Sequence, residues 1–159
     1  MTTALHALEG SGVGRALRES LWGYPAVETL HIVGLAALFG SVLVVDLRLL
    51  GLSRALSVTR LARLALPWTI GAFLLVVVTG VLLFTAHAED FLANRVFILK
   101  MGLLLAAGLN AGLLHAGAMA KVEAWDTNVA PPARVRISAA LSLVLWPCVI
   151  ACGRLLAYT

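Results

Sequence analysis

Charged side chains are scarce in this sequence. Asp, Glu, Lys and Arg together make up 13% of the 159 residues, whereas 61% belong to the hydrophobic set. A soluble domain of ordinary composition carries about twice that share of charge. The scarcity excludes such a domain and predicts a membrane protein. The small basic surplus is then explained by basic residues next to membrane spans, without a nucleic acid as partner.

The sequence also lacks the motifs of the common catalytic and nucleotide-binding sites. It contains no GxGxxG, no P-loop, no HExxH and no CxxC, so it offers no argument for hydrolysis or phosphoryl transfer and leaves open whether the protein is an enzyme. Cysteine is rare as well, with only Cys148 and Cys152, four residues apart in an apolar run. Two helical sulfurs at this spacing do not reach disulfide geometry.

The charged residues that do occur gather between four apolar runs. Each run is long enough to cross a bilayer as a helix. Backbone polar groups in lipid need internal partners, and the runs show no two-residue alternation, so helices are favoured over barrel strands. The sequence predicts an all-α, integral membrane four-helix bundle. It forms one domain over residues 1–159, with spans at about 25–49, 63–88, 95–120 and 136–157.

Basic residues are distributed unevenly between the two ends of this predicted bundle. Seven lie in the first-to-second and third-to-fourth connections and four lie near the other span ends, with Lys100 counted as intramembrane. Cytoplasmic loops carry the excess of Lys and Arg, so both termini are expected on the periplasmic side. The expected location is the bacterial inner membrane, with the lipid bilayer as the immediate partner.

Small residues predict which spans approach one another. Gly34, Ala37 and Ser41 in the first span, and Gly108 and Gly112 in the third, follow the spacing of close helix contacts. We therefore expect the first and third spans to pack closely.

Segments outside the apolar runs give weaker signals. His6 lies in an N-terminal stretch that we expect to be flexible, and we assign it no role. Residues 51–66 alternate arginine with leucine, as a short interfacial helix or turn would. Pro67 is then expected to open the second span near the cytoplasmic face.

Polar residues inside the predicted spans concentrate near the periplasmic surface. Glu28 and His31 lie one helical turn apart at the start of the first span, and Lys100 of the third span reaches a similar depth. His87 ends the second span, and Arg154 lies near the end of the fourth. Ionisable groups in a membrane are costly unless they are paired or near water, so these five residues define a candidate site. The structural alternative is that Lys100 and Arg154 only pair with nearby acids.

A sparser set lies toward the cytoplasmic side. It contains Asp46, Arg48, Asn110 and His115. We expect His115 to face a neighbouring helix, where a neighbour of Asn110, Asp46 or a loop carbonyl could satisfy its ring. His115 is also retained as a candidate cofactor-binding residue.

His31 is the central candidate, because a partly buried imidazole near a carboxylate suits a haem or metal ligand or a proton carrier. His87 is the natural second axial ligand of a b-type haem held between facing helices. Lys100 and Arg154 would then face the haem propionates. His31 should lie deeper than His87, so a tilted haem or a five-coordinate iron stays open.

Two alternatives compete with haem. His31 and His87 with Cys148 and Cys152 would combine imidazole with sulfur, which suits copper. The other alternative is a non-catalytic subunit or scaffold without a cofactor, whose buried charges are only structural.

Several stretches resemble a family of small bacterial four-span membrane proteins of unknown function. They are "ESLWGYPAVETLHIVGLAALFGSVLVVDLRLLGL", "LPW", "FILKMGLLLAAGLNAGLLH", "AWD" and "GRLLAY". The distinguishing positions are Glu28, His31, Asp46, Arg48, Pro67, Trp68, Lys100, Asn110, His115, Trp125, Asp126 and Arg154. The resemblance implies a fold but no activity.

The architecture also resembles, more distantly, the bundles of cytochrome b561 and the copper-resistance D proteins, which implies haem or copper handling. No predicted span carries two histidines, unlike the di-haem b561 pattern. The leading hypothesis is therefore a cytochrome-like protein with one b-type haem near the periplasmic face. It would exchange electrons with a partner, and the expected protein partner is a redox protein or a second copy of the chain in a homo-oligomer.

Overall fold

The computed structural model describes residues 2–158, with the side chains of residues 2–4, 118 and 120 left out of the description. The described chain is all-α and contains no strand between residues 2 and 158, as the sequence predicts. Its helices are α1 (Thr2–Glu9), α2 (Gly12–Glu19), α3 (Gly23–Leu49), α4 (Val58–Ala86), α5 (Ala88–Ala93), α6 (Arg95–Ala116) and α7 (Ala133–Leu155). A 3-10 helix, Ala118–Trp125, lies between α6 and α7.

Four of these helices are long and apolar enough to cross a membrane. They are α3, α4, α6 and α7, which contain 27, 29, 22 and 23 residues, with mean hydropathies between 1.8 and 2.4. At about 1.5 Å per residue, even the shortest reaches roughly 33 Å, about the thickness of a hydrocarbon core. The prediction of four apolar helices of spanning length is confirmed.

The four long helices pack in the order α4, α3, α7, α6. Helix α3 runs along α4, α6 runs along α7, and α3 contacts α7. In the described part of the chain, α4 and α6 make no comparably extended backbone contact. They meet at one end through Phe84, Phe91 and Phe97, whose rings stack with centroids 5.3 to 6.4 Å apart.

The two ends of the bundle differ in what covers them. We call the end that carries α1, α2, α5 and the C-terminus the terminal end, and the end that carries residues 50–57 and 117–132 the loop end. The best-buried apolar cluster lies at the loop end and consists of Leu49, Val58, Trp125, Val135 and Ala139. Trp125 of the second connection therefore packs against α3, α4 and α7 and closes the loop end.

The predicted packing of the first and third spans is wrong. A Cβ atom built on Gly34 would lie 2.9 Å from Val76 Cγ2, so this glycine fits α3 against α4. The same construction at Gly108 and Gly112 meets no atom within 4 Å. Helices α3 and α4 are joined by a short connection and pack as sequence neighbours, which takes the small-residue face of α3 away from α6.

Helix α4 begins earlier than the sequence predicts. Ser57 caps it, since its hydroxyl oxygen accepts the Arg60 N–H at 3.1 Å. The stretch expected to lie on the membrane surface thus largely forms the first turns of α4. The expectation that Pro67 opens this span is wrong, because Pro67 lies inside the helix.

The N-terminal segment is helical, which corrects the expectation that it is flexible. Ser11 caps α2 by accepting the Gly14 N–H. The Arg18 guanidinium donates to the carbonyl oxygen of Ala86, at 2.7 Å, and to that of Glu9. Because these acceptors lie at the ends of α4 and α1, Arg18 holds both short helices against the terminal end.

Candidate functional site

His31 is held by a hydrogen bond between two spans. Its Nδ1 atom lies 2.8 Å from Thr79 Oγ1 on α4. The Thr79 hydroxyl donates to the carbonyl oxygen of Leu75 at 2.7 Å. A hydroxyl has one proton to donate, so Thr79 accepts from His31 Nδ1–H. The hydrogen-bond network therefore assigns the proton to Nδ1 and leaves the Nε2 lone pair available.

Glycines on facing helices make room for His31 and Lys100. A Cβ atom built on Gly80 of α4 would lie 3.2 Å from His31 Cε1. One built on Gly153 of α7 would lie 3.7 Å from Lys100 Nζ. Larger side chains at these two positions would press on the imidazole and on the ammonium group.

Lys100 completes a layer to which every long helix contributes. Its ammonium group is close enough to His31 to act on the ring electrostatically, and it also interacts with Cys152. We call His31 of α3, Thr79 of α4, Lys100 of α6 and Cys152 of α7 the terminal-end layer. His31 and Lys100, both predicted to belong to one cluster, lie within electrostatic reach of each other.

The other residues of the predicted periplasmic cluster lie apart from this layer. Glu28 is exposed. Arg154 is exposed too; its guanidinium donates to the Tyr158 hydroxyl and lies 4.7 Å from the centroid of the Tyr158 ring. Arg154 therefore pairs with an aromatic neighbour on its own chain end, rather than with an acid or with His31.

His87 is at the end of α4, and its ring is engaged by other residues. The ring packs edge-on against Tyr24, with centroids 5.6 Å apart. Its Nδ1 atom lies 3.6 Å from Asp90 Oδ2. Within residues 2–158, neither His31 nor His87 belongs to a group of three His, Cys, Asp or Glu side chains with ligand atoms within 4.8 Å of one another.

His115 and Asn110 have separate partners. His115 is exposed, and its Nδ1 atom lies 2.9 Å from the carbonyl oxygen of Ala111, one turn back on α6. This acceptor is a neighbour of Asn110, one of the partners that the sequence suggested. The exposed ring lies outside the terminal-end layer and does not face a neighbouring helix, so that expectation is wrong. Asn110 pairs with Ser138 on α7 through two hydrogen bonds of 2.9 Å.

A second polar set, at the loop end, joins the two connections. The buried Arg48 guanidinium donates to the carbonyl oxygens of Leu56 at 2.7 Å, Arg54 at 3.2 Å and Asp126 at 2.9 Å. Two backbone segments are thereby fixed around one side chain. This arrangement stabilises the fold through Nε and Nη2, while Arg48 Nη1 has no hydrogen-bond partner among the described residues.

The Asp126 carboxylate completes this set, which we call the loop-end network: Arg48, Ser57, Thr59 and Asp126. Ser57 O–H donates to Oδ2 at 2.6 Å, and Thr59 N–H donates to Oδ1 at 2.7 Å. These donors, led by Ser57, hold the pKa of Asp126 below its ordinary value. The sequence singled out Asp126 by resemblance but gave it no partner. Its partner Ser57 is recognisable only as a capping residue ahead of a helix.

The four apolar helices and the polar layers between them indicate a multi-pass membrane protein. The chain belongs to a family of unknown function, DUF6644, whose model matches residues 22–159. No curated protein matches the chain, and no solved structure matches it. The family match supports the resemblance seen in the sequence and assigns no activity.

Proposed function

We propose that the protein binds one b-type haem at the terminal-end layer, where His31 would hold it through Nε2, and that it carries electrons within the membrane. The observation that carries the proposal is the hydrogen bond from His31 Nδ1 to Thr79. Metal-ligating histidines almost always donate their other ring N–H to an acceptor, which fixes the ring and its tautomer. Here that acceptor comes from the facing span, at 2.8 Å.

The surroundings of His31 suit this group. Lys100 supplies a positive charge beside the imidazole, as the propionates of a haem would require. Gly80 and Gly153 give the His31 and Lys100 side chains the room that they occupy. When bound, the haem would supply one-electron chemistry, while His31 would hold it and Thr79 would orient His31.

His87 remains the candidate for a second ligand. Its ring packs on Tyr24, and its Nδ1 atom faces Asp90, an acceptor of the kind that ligating histidines use. The proposal rests on His31 alone. The copper alternative has less support, because Cys148 is exposed whereas Cys152 is buried. The two sulfurs thus lie in different surroundings.

We also infer that the terminal end faces the periplasm of a bacterium and that the membrane is the inner membrane. The inference rests on the seven basic residues in and next to the two loop-end connections, against four near the terminal end. A haem at the terminal-end layer would then lie near the periplasmic surface, within reach of a redox partner there.

Absorption spectroscopy of the purified protein tests the haem proposal. We expect a reducible Soret band and α-band in the wild type, the loss of both in His31→Ala, and their retention in His115→Ala. His115 is the matched control, because its ring bonds only to its own helix. A colourless wild type from haem-sufficient cells, or bands that persist in His31→Ala, would overturn the proposal and favour the scaffold alternative.

Thr79 provides a second pair of variants for the same measurement. Thr79→Ser keeps a hydroxyl that can accept from His31, whereas Thr79→Val has the shape of threonine without an acceptor. Loss of such a supporting partner typically weakens metal binding about 10- to 100-fold, so Thr79→Val should bind haem that much more weakly than Thr79→Ser. Equal affinities would show that Thr79 does not orient the ligand.

A further inference from the structure

Three metal-ligating side chains meet where α1 lies against α5. His6 and Glu9 are three residues apart on α1, and Glu89 is in the first turn of α5. Each side chain offers one ligand atom, and these three atoms all lie within 4.8 Å of one another. Within residues 2–158, no other group of three His, Cys, Asp or Glu side chains meets this condition. His6 Nε2 is 3.2 Å from Glu89 Oε1.

This donor set suits a zinc ion. Zinc accepts imidazole nitrogen and carboxylate oxygen at about 2.0 to 2.2 Å, so two ligands on a tetrahedral ion lie about 3.4 Å apart. The observed 3.2 Å between His6 and Glu89 is close to that separation. A spacing of three residues places His6 and Glu9 on one face of α1. Two carboxylates and a neutral imidazole also balance the charge of a divalent ion.

The ligands are positioned before any ion binds. Glu9 Oε1 accepts the backbone N–H of Glu89 at 2.9 Å, which fixes that carboxylate beside α5. Arg18 donates to the carbonyl oxygens of Glu9 and Ala86, so the end of α1 is tied to the end of α4. The His6 and Glu89 side chains are 67% and 36% exposed, respectively, and an ion can therefore enter from solution.

We propose that His6, Glu9 and Glu89 form a zinc site that fastens α1 to α5 across the terminal end of the bundle. Three protein ligands leave one coordination position for water. The site shares no ligand with the proposed haem site. His6 and Glu9 precede the residues that match the family model, 22–159, whereas Glu89 lies within them.

Calorimetric titration of ZnCl₂ into the full chain, purified in detergent and freed of metal with a chelator, tests this site. We expect saturation at one ion per chain. Each of His6→Ala and Glu89→Gln should weaken zinc binding at least about tenfold. Loss of a residue that only supports a metal ligand already weakens metal binding about 10- to 100-fold, and these substitutions remove a ligand itself. Zinc should also raise the melting temperature of the wild type but not of these variants.

Two further variants separate metal binding from simple pairing of the same residues. Glu9→Gln retains an amide oxygen that can accept the Glu89 N–H, yet it is a far poorer zinc ligand, so it should fold normally and bind zinc weakly. His115→Ala removes an exposed histidine elsewhere and should bind like the wild type. Absence of saturation at one ion per chain, or equal binding by His6→Ala and the wild type, would overturn the proposal. The haem spectrum of His6→Ala should be unchanged, so this proposal and the haem proposal can fail separately.

Discussion

Two histidines on the long helices differ in what accepts their ring proton. His31 Nδ1 donates across the helix interface to Thr79, whereas the Nδ1 atom of His115 lies 2.9 Å from a carbonyl oxygen of its own helix. The first arrangement couples the imidazole to a second span and directs Nε2 away from that bond. The second leaves the ring exposed at the helix surface. At the scale of the residue, the hydrogen-bond partner of Nδ1 distinguishes the candidate ligand His31 from His115, which lies outside the site.

Asp126 makes the stability of the loop end depend on pH. Its pKa is lowered in the folded protein, chiefly by the Ser57 hydroxyl and the Thr59 N–H. A group with a depressed folded pKa contributes stability above its unfolded pKa, about 3.9, and that contribution is lost as the pH falls through the folded value. The wild type should therefore lose thermal stability below about pH 4 more steeply than Asp126→Asn.

Melting temperatures of both proteins in detergent between pH 7 and pH 3 check this expectation. Asp126→Asn should melt at a lower temperature at pH 7, and the difference from the wild type should shrink as the pH falls below about 4. Glu123→Gln, an exposed acid in the adjacent 3-10 helix, should follow the wild-type curve. A difference that stays constant across this pH range would contradict the assignment.

At the scale of the element, paired polar side chains join helices within the apolar region. Asn110 Nδ2 donates to the Ser138 carbonyl oxygen, and Ser138 O–H donates to Asn110 Oδ1, both at 2.9 Å. On the other helix pair, the Ser41 and Thr69 hydroxyls of α3 and α4 are also 2.9 Å apart. Lipid offers no hydrogen bonds, so such pairs help to select which helices associate.

A double-mutant cycle on Asn110→Ala and Ser138→Ala measures the contribution of one of these bonds. Ser138→Ala removes only the hydroxyl bond, because the backbone carbonyl remains as an acceptor. We expect a coupling free energy of unfolding of about 1 kcal/mol, within the range measured for hydrogen bonds between membrane helices. Asn110→Ala combined with Ser41→Ala should be additive, since these residues join different helix pairs. A coupling near zero for the first pair would show that the bond does not stabilise the bundle.

At the scale of the whole molecule, the long helices bury little of their surface within one chain. Only 6% of the most apolar window of α6 is buried inside the molecule, against 33% for α7. A Cβ atom built on Gly102, Gly108 or Gly112 of α6 would have no atom of another helix within 4 Å. Helix α6 therefore offers most of its surface to its surroundings, as expected of a helix that contacts lipid.

The orientation in the membrane can be tested with single cysteines placed at the two ends. In a chain without its native cysteines, Cys148→Ala/Cys152→Ala, we expect Asp90→Cys at the terminal end to react with a membrane-impermeant maleimide in intact bacterial cells. Lys121→Cys at the loop end should react only after the cells are permeabilised, because the basic connections should face the cytoplasm. The reverse pattern would place the terminal end in the cytoplasm.

The four long helices could be predicted because hydropathy is a property of a local stretch of chain. The start of α4 could not, because Ser57 works both as its cap and as a donor to Asp126, which is 69 residues away in the sequence. Helix α1 was missed for a related reason. An eight-residue helix is marginal alone in water, and this one is held by Arg18 and by its contacts with α5.

Some residues of the candidate site could be predicted from the sequence, and others could not. His31 and Lys100 stand out because ionisable residues are rare in apolar runs, and helix direction gives them similar depths. Thr79 and Gly80 carried a weaker signal, as an uncharged polar residue beside a small one in the second span. Arg154 was placed in the site by depth alone, and its actual neighbour is Tyr158, one turn along the same chain end.

The amino-acid sequence by itself determined that this protein is helical and that four of its helices can span a membrane. These properties follow from composition and from a fixed rise per residue. Only the tertiary structure decided that α3 packs on α4, that Thr79 accepts the proton of His31, and that His6 meets Glu9 and Glu89. Those outcomes depend on which helix faces turn toward one another, and this is set by contacts between residues far apart in the chain.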